Sequence, residues 1–219
     1  MAIEFVSSTG NDGAGTTATL DAPTGMELGF LIVATVCTRG NSITSTPDQT
    51  GWTSLGIVLG NPSLESFVRF VDGTEPASWT WSLSSNTNWI GGILLFSGTD
   101  PNEIINAEAG QYNGTASVNI DGPSITTTYG NTLLIAISVA ASGSSVITAP
   151  AGYLQRTNAS TATAGNAGAT MEMATRTFGG PGATGTWFAT QTVSRKSTTQ
   201  HIALKAGQTG GGMLLTGVG

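Results

Sequence analysis

The chain has 219 residues, of which 31 are glycine and only 9% are charged. An ordinary globular protein has roughly 25% charged residues, so this composition, rich in Ser, Thr and Gly, predicts short strands joined by tight turns rather than long helices. The net charge is −6 and the seven Lys and Arg are scattered along the chain, which argues against nucleic acid or an anionic membrane as a partner.

The N-terminal stretch "MAIEFVSSTG" has neither the basic nor the apolar region of a secretory signal. No run approaches the roughly 18 apolar residues of a membrane span, so we expect synthesis in the cytoplasm. The single cysteine, Cys37, rules out an internal disulfide and a cysteine-cluster metal site. Its apolar neighbours predict a buried, inert thiol.

Matching segments recur in the same order in the two halves of the chain, which predicts an internal duplication. We place the copies at about residues 3–99 and 108–207, within one domain of residues 1–208. The matched segments, in chain order, are "LDAP" with "IDGP", "FLIVATV" with "LLIAISV", "GWTSLG" with "GYLQRT", "VRFVDG" with "TRTFGG", and "GILLFSG" with "HIALKAG".

Each copy has five or six strand-like segments, so we predict an all-β fold: an antiparallel β-sandwich, jelly-roll-like, built from two duplicated halves. The joint "TDPNEIINAEAG" is too short for a flexible linker, which favours one pseudo-twofold sandwich, while two tandem domains stay open. The runs "FLIVATV" and "LLIAISV" are typical of central strands buried on both faces.

The segment "TEPASWTWSLS" alternates large and small residues with the period of a strand. Trp79, Trp81 and Leu83 share one face, which we interpret as core packing rather than a ligand platform. Near the end of each copy, the aligned pairs Ile93 with Ile202 and Leu95 with Leu204 are expected to face inward.

Catalytic chemistry has little support in the sequence. His201 is the single histidine, whereas a catalytic triad or a histidine metal site needs further groups within reach; we expect His201 to face solvent on a strand. The acidic residues lie mostly in predicted turns, with no pair placed for glycoside hydrolysis. We therefore predict no catalytic residue, no metal and no cofactor.

The C-terminal tail, residues 209–219, has no counterpart in the first copy. Its apolar residues Met213, Leu214, Leu215 and Val218 are framed by glycines. We predict that these four residues contact a neighbouring subunit, for example by adding a strand to it. Packing of the tail against its own domain is the alternative.

The segments "TPDQTGWTSLG", "RFVDGTEPASWTW" and "GGILLFSGTDP" resemble segments of virion structural proteins of tailed bacteriophages. The resemblance spans about residues 20–208. It implies a β-rich head decoration (cement) protein or a minor tail or fibre component, and it carries over no catalytic residue. The expected location is then the virion, after synthesis in the host cytoplasm.

Our first expectation is therefore a non-enzymatic capsid decoration protein, oligomeric, with the major capsid protein and copies of itself as partners. The alternative is a carbohydrate-binding or adhesive module of a phage tail or head fibre that binds a host-surface glycan. Its candidate glycan contacts are Trp52, Trp89 and Tyr112. A glycan hydrolase would need two converging carboxylates, which the sequence does not reveal.

Overall fold

The computed structural model describes residues 2–207, which form almost entirely β structure, as predicted. The strands build two large antiparallel sheets, and residues 2–207 contain no α-helix, only the short 3₁₀ turn Gly165–Ala167. The first-half strands are β1 (Glu4–Asp21), β2 (Leu31–Thr38), β3 (Ser45–Pro47), β4 (Thr53–Val58), β5 (Ser63–Phe70) and β6 (Ser78–Ser97). The second-half strands are β7 (Ile105–Gly122), β8 (Thr126–Thr127), β9 (Thr132–Ala140), β10 (Ile147–Thr148), β11 (Leu154–Ser160), β12 (Thr170–Phe178), β13 (Gly182–Ala183) and β14 (Trp187–Leu204).

The two sheets have the same strand order. The first runs β1-β6-β2-β5-β4 with β3 also paired to β6, and the second runs β7-β14-β9-β12-β11 with β10 also paired to β14. A sequence repeat would produce this shared topology; the duplication itself stays a prediction. Jelly-roll connectivity is not confirmed, since each sheet takes all its strands from one half of the chain.

The two sheets pack face to face and enclose an apolar core between the halves. Edge strand β1 lies against β11, and edge strand β4 lies against β7. Since β7 occupies the place of β1 in the second sheet, this arrangement is the one expected for a pseudo-twofold relation between the halves.

Each half also has an apolar core of its own, on the outer face of its sheet. In the first half, the pairing of β1 with β6 is interrupted between Gly15 and Thr17. The N-terminal part of β6, which pairs with β1 beyond this interruption, contributes Trp79 and Trp81 to the outer core. Strand β2 is therefore buried on both faces, as its apolar run predicts. Trp79, Trp81 and Leu83 are buried together, which confirms their interpretation as core residues.

The predicted alignment of the last strands is wrong by one residue. Ile93 and Leu95 face the first half's own core, whereas Ile202 and Leu204 face the core between the halves. The structural equivalent of Leu204 is Phe96, because each pairs with the first leucine of its central strand, Leu133 in β9 and Leu31 in β2. A shift of one residue in a strand exchanges its two faces. Because apolar residues occupy successive positions in these strands, the sequence pattern does not reveal which of the two alignments is correct.

Two adjacent glycines of β6 allow a matched test of the packing. A Cβ on Gly91 would lie 2.9 Å from the backbone oxygen of Thr35, whereas a Cβ on Gly92 would meet the flexible ends of two methionines at 3.0 and 3.1 Å. We expect Gly91→Ala to lower the free energy of unfolding by about 1–3 kcal/mol and Gly92→Ala to change it by less than about 1 kcal/mol. Urea denaturation measures both; equal losses would contradict this account of the packing.

Candidate functional site

Two of the three predicted glycan contacts lie in the core of the first half. Trp89 is only 5% exposed. Trp52 is half-buried, with its ring centroid 5.5 Å from that of Trp79 and 5.3 Å from that of Trp81. Tyr112 is half-buried on β7, against Gly60. Because the rings of Trp52 and Trp89 are committed to core packing, the glycan-contact hypothesis depends mainly on Tyr112.

The predicted partner contacts Met213, Leu214, Leu215 and Val218 lie outside the described residues. The last described residue, Gly207, donates its backbone N–H to the carbonyl of Gly98 at 2.8 Å. Gly98 in turn packs against Ala2, whose carbonyl oxygen would collide with a Cβ at position 98.

An open pocket of about 540 Å³ lies at this end of the molecule, between the two halves. Ala2 and Ile3 line it from the first half, and Leu133, Phe178 and Gly179 line it from the second. Asn131, Thr132 and Thr177 add polar groups to this lining. The pocket is connected to Gly207 through Ala2 and Gly98.

The prediction that His201 faces solvent is wrong. The imidazole is fully buried, with Nδ1 3.0 Å from the carbonyl oxygen of Pro123 and Nε2 2.8 Å from the hydroxyl of Tyr153. Since a carbonyl can only accept, Nδ1 carries the proton and the Tyr153 hydroxyl donates to Nε2. Burial lowers the pKa of His201 to about 4. The residue occupies the position of Ile93 in the other half, which faces inward.

Sequence reasoning also missed a buried carboxyl. Glu172 is fully buried on β12, and neither carboxyl oxygen has a hydrogen-bond partner within residues 2–207. Burial raises the pKa of Glu172 to about 8. Its cross-strand neighbour Ser138 is equally buried, and its hydroxyl has no partner among the described residues either. The site is closed to solvent, so the carboxyl is a structural feature rather than an accessible acid or base.

A polar cleft opens at the other end of the central strands, between the two halves. It has two adjoining lobes of about 400 and 340 Å³, which share Arg39, Asn61 and Asn166. We call it the interhalf cleft and define it by the residues Arg39, Asn61, Asn86, Asn88, Asn166, Arg195 and Lys196.

Arg39 lines both lobes of the cleft and joins the two halves. It follows the end of β2, and its guanidinium donates to the side-chain oxygen of Asn61 and to the carbonyl of Asn166 in the other half. The hydroxyl of Thr87 donates to the Arg39 carbonyl. A second link between the halves runs from the Asn88 amide to the carbonyl of Ala167, at 2.8 Å. These bonds give the cleft a defined shape.

The charge of the interhalf cleft is positive. Arg39, Arg195 and Lys196 line it, and none of them is paired with a carboxylate within residues 2–207. The ion pairs formed within residues 2–207 involve Arg69 and Lys205, which do not line the cleft. Three of the seven cations thus meet in one place, the neighbours Arg195 and Lys196 from the second half and Arg39 from the first. No sequence signal could have found them, since Arg39 and Arg195 are more than 150 positions apart.

Within residues 2–207, no group of three or more His, Cys, Asp and Glu side chains could hold a metal ion, and no helix is long and apolar enough to cross a membrane. Comparison of the chain with protein-family models, curated proteins and solved structures gives no match in any of the three.

Proposed function

We propose that the protein is a non-enzymatic virion structural protein, specifically a capsid decoration protein. It strengthens the head through contacts with the major capsid protein and with copies of itself. The virion setting rests on the resemblance of the quoted sequence segments to phage structural proteins. Interfaces of ordinary size bury about 800 Å² per partner, and many such contacts together make the loss of any one capsid subunit costly.

The observation that carries the proposed function is a pocket whose lining residue Ala2 packs against Gly98, the residue to which Gly207 is hydrogen-bonded. Met213, the first apolar residue of the tail, follows only six positions later (213 − 207). An extended chain of this length spans roughly 20 Å, enough to reach a neighbouring subunit in contact. In the proposed arrangement, the tail of one copy occupies the pocket of the next, a head-to-tail contact that can close into a ring.

The test is co-sedimentation with capsids purified from the phage that carries the gene, together with sedimentation velocity of the protein alone. We expect the full chain to oligomerise and bind capsids at stoichiometric occupancy, and a chain ending at Gly207 to do neither while keeping its fold. If the truncated chain binds capsids as well as the full chain, the tail is not the contact.

A matched pair of variants tests the pocket itself. Gly179 lines the pocket and Gly180 does not, and a Cβ at either position would have no atom within 4 Å. Gly179→Gln should therefore obstruct the pocket and abolish oligomerisation, whereas Gly180→Gln should leave oligomerisation unchanged. Equal behaviour of the two variants would refute the proposed pocket contact.

A carbohydrate-binding role is the second candidate. The observation that favours it is the interhalf cleft, next to which Tyr112 lies: its ring packs on Gly60, the residue before Asn61. Glycan binding by the isolated protein, without capsids, separates this role from decoration.

A further inference from the structure

The interhalf cleft concentrates positive charge in a protein that is acidic overall. Its three cations come from both halves, and the net charge of the chain is −6. The Nε atoms of Arg39 and Arg195 are buried and have no hydrogen-bond partner within residues 2–207. The positive charge of Arg39, Arg195 and Lys196, which no carboxylate of residues 2–207 neutralises in an ion pair, is suited to a carboxylate or another oxyanion.

The same cleft presents a group of asparagine amides. The side chains of Asn86 and Asn166 are exposed and make no hydrogen bond within the described residues, and Asn88 adjoins them. An amide offers two donors and one acceptor oxygen. It therefore matches sugar hydroxyls, which also donate and accept.

The size of the cleft is that of a small-ligand site. Lobes of about 400 and 340 Å³ fall within the range of roughly 300–1,000 Å³ that is usual for such sites. Because hydrogen bonds join Arg39 and Asn88 to the second half, the walls are held in place without a ligand.

From these three properties we infer that the interhalf cleft binds an acidic sugar, with its carboxylate held by Arg39, Arg195 and Lys196 and its hydroxyls by the asparagine amides. This inference deepens the second candidate function and does not depend on capsid binding. A nucleic acid fits less well, because no lining residue is aromatic and Tyr112, beside the cleft, offers a single ring on which bases could stack. A phosphate ion alone would leave the amides unused.

The test is calorimetric titration of the full chain with two acidic probes, trigalacturonate and sialyllactose, and with their neutral counterparts, the methyl ester of trigalacturonate and lactose. At least one acidic probe should bind, about tenfold or more tightly than its neutral counterpart, and rising salt should weaken the binding. Equal binding of an acid and its neutral counterpart, or binding of neither acid, would overturn the inference.

The informative variant is Arg195→Gln combined with Lys196→Gln, because Arg39 also joins the halves and its loss could unfold the chain. The matched control is Arg156→Gln combined with Arg176→Gln, which removes the same charge outside the cleft. The first pair should weaken binding of the acidic probe about tenfold or more, and the control should keep it. Equal losses in the two variants, or displacement of the probe by inorganic phosphate of equal affinity, would show that no sugar site exists there.

Discussion

Replacing Trp81 with alanine should lower the free energy of unfolding by about 3–5 kcal/mol, the cost usual for removing a large buried aromatic side chain. Trp81 is fully buried in the first half's core. Its ring centroid lies 5.3 Å from that of Trp52 and 6.0 Å from that of Phe67. Truncation therefore leaves a cavity between two rings that cannot fill it without moving. Urea denaturation measures the loss.

The control for Trp81 is Ser85→Ala on the same strand. Ser85 is exposed and its side chain makes no hydrogen bond within the described residues, so the change should stay within about 0.5 kcal/mol. A ligand platform would give the opposite result for Trp81→Ala: ligand binding lost, stability kept. That outcome would reverse the interpretation of the tryptophan strand as core.

Glu172→Gln should make the protein progressively more stable than the wild type as the pH rises from 5 to 8. Burial raises the pKa of Glu172 from its ordinary 4.5 to about 8. Between these values the unfolded chain is ionised at this residue while the folded protein keeps its proton, so folding takes up a proton and rising pH destabilises the wild type. The full penalty corresponds to about 5 kcal/mol.

His201 has the opposite effect. Its pKa is lowered from 6.5 to about 4, so between these values the unfolded chain holds a proton that the folded protein lacks, and stability increases as the pH rises. From pH 4.5 to 6.5 the two slopes oppose each other, and the wild type should be nearly flat. From pH 6.5 to 8 the His201 slope fades and the Glu172 slope dominates, so stability should fall by about 1 kcal/mol.

The measurement is urea denaturation of the wild type and Glu172→Gln at several pH values from 5 to 8.5. The difference between the two proteins removes the His201 contribution and should grow by about 4 kcal/mol between pH 5 and pH 8. The matched control is Glu27→Gln at an exposed position, which should reproduce the wild-type profile. Parallel profiles for Glu172→Gln and the wild type would mean that the carboxyl has a partner or reaches water in solution.

Local patterns in the sequence were enough to predict much of the fold. The apolar run at residues 30–36 indicates a strand buried on both faces, and β2 is one. The alternation around Trp79 and Trp81 identifies a core strand. Both predictions succeed because a strand's two faces follow directly from its period of two residues, which is independent of the rest of the chain.

Other features depended on the tertiary structure. The pattern "TMEMATR" places Glu172 on the face opposite the methionines but does not say whether that face meets water or a second core. Likewise, the sequence around His201 does not say whether its face of the strand meets water or a core. The interhalf cleft is even harder to predict from the sequence, because Arg39 and Arg195 come together only when the two sheets pack.

The sequence by itself thus determined the all-β class, the central strands and the tryptophan core, since each depends on neighbouring residues in one strand. Only the tertiary structure decided the burial of Glu172 and His201 and the grouping of the cleft cations. The physical reason is that alternation defines which residues share a face, whereas the environment of that face is set by strands distant in sequence that pack against it.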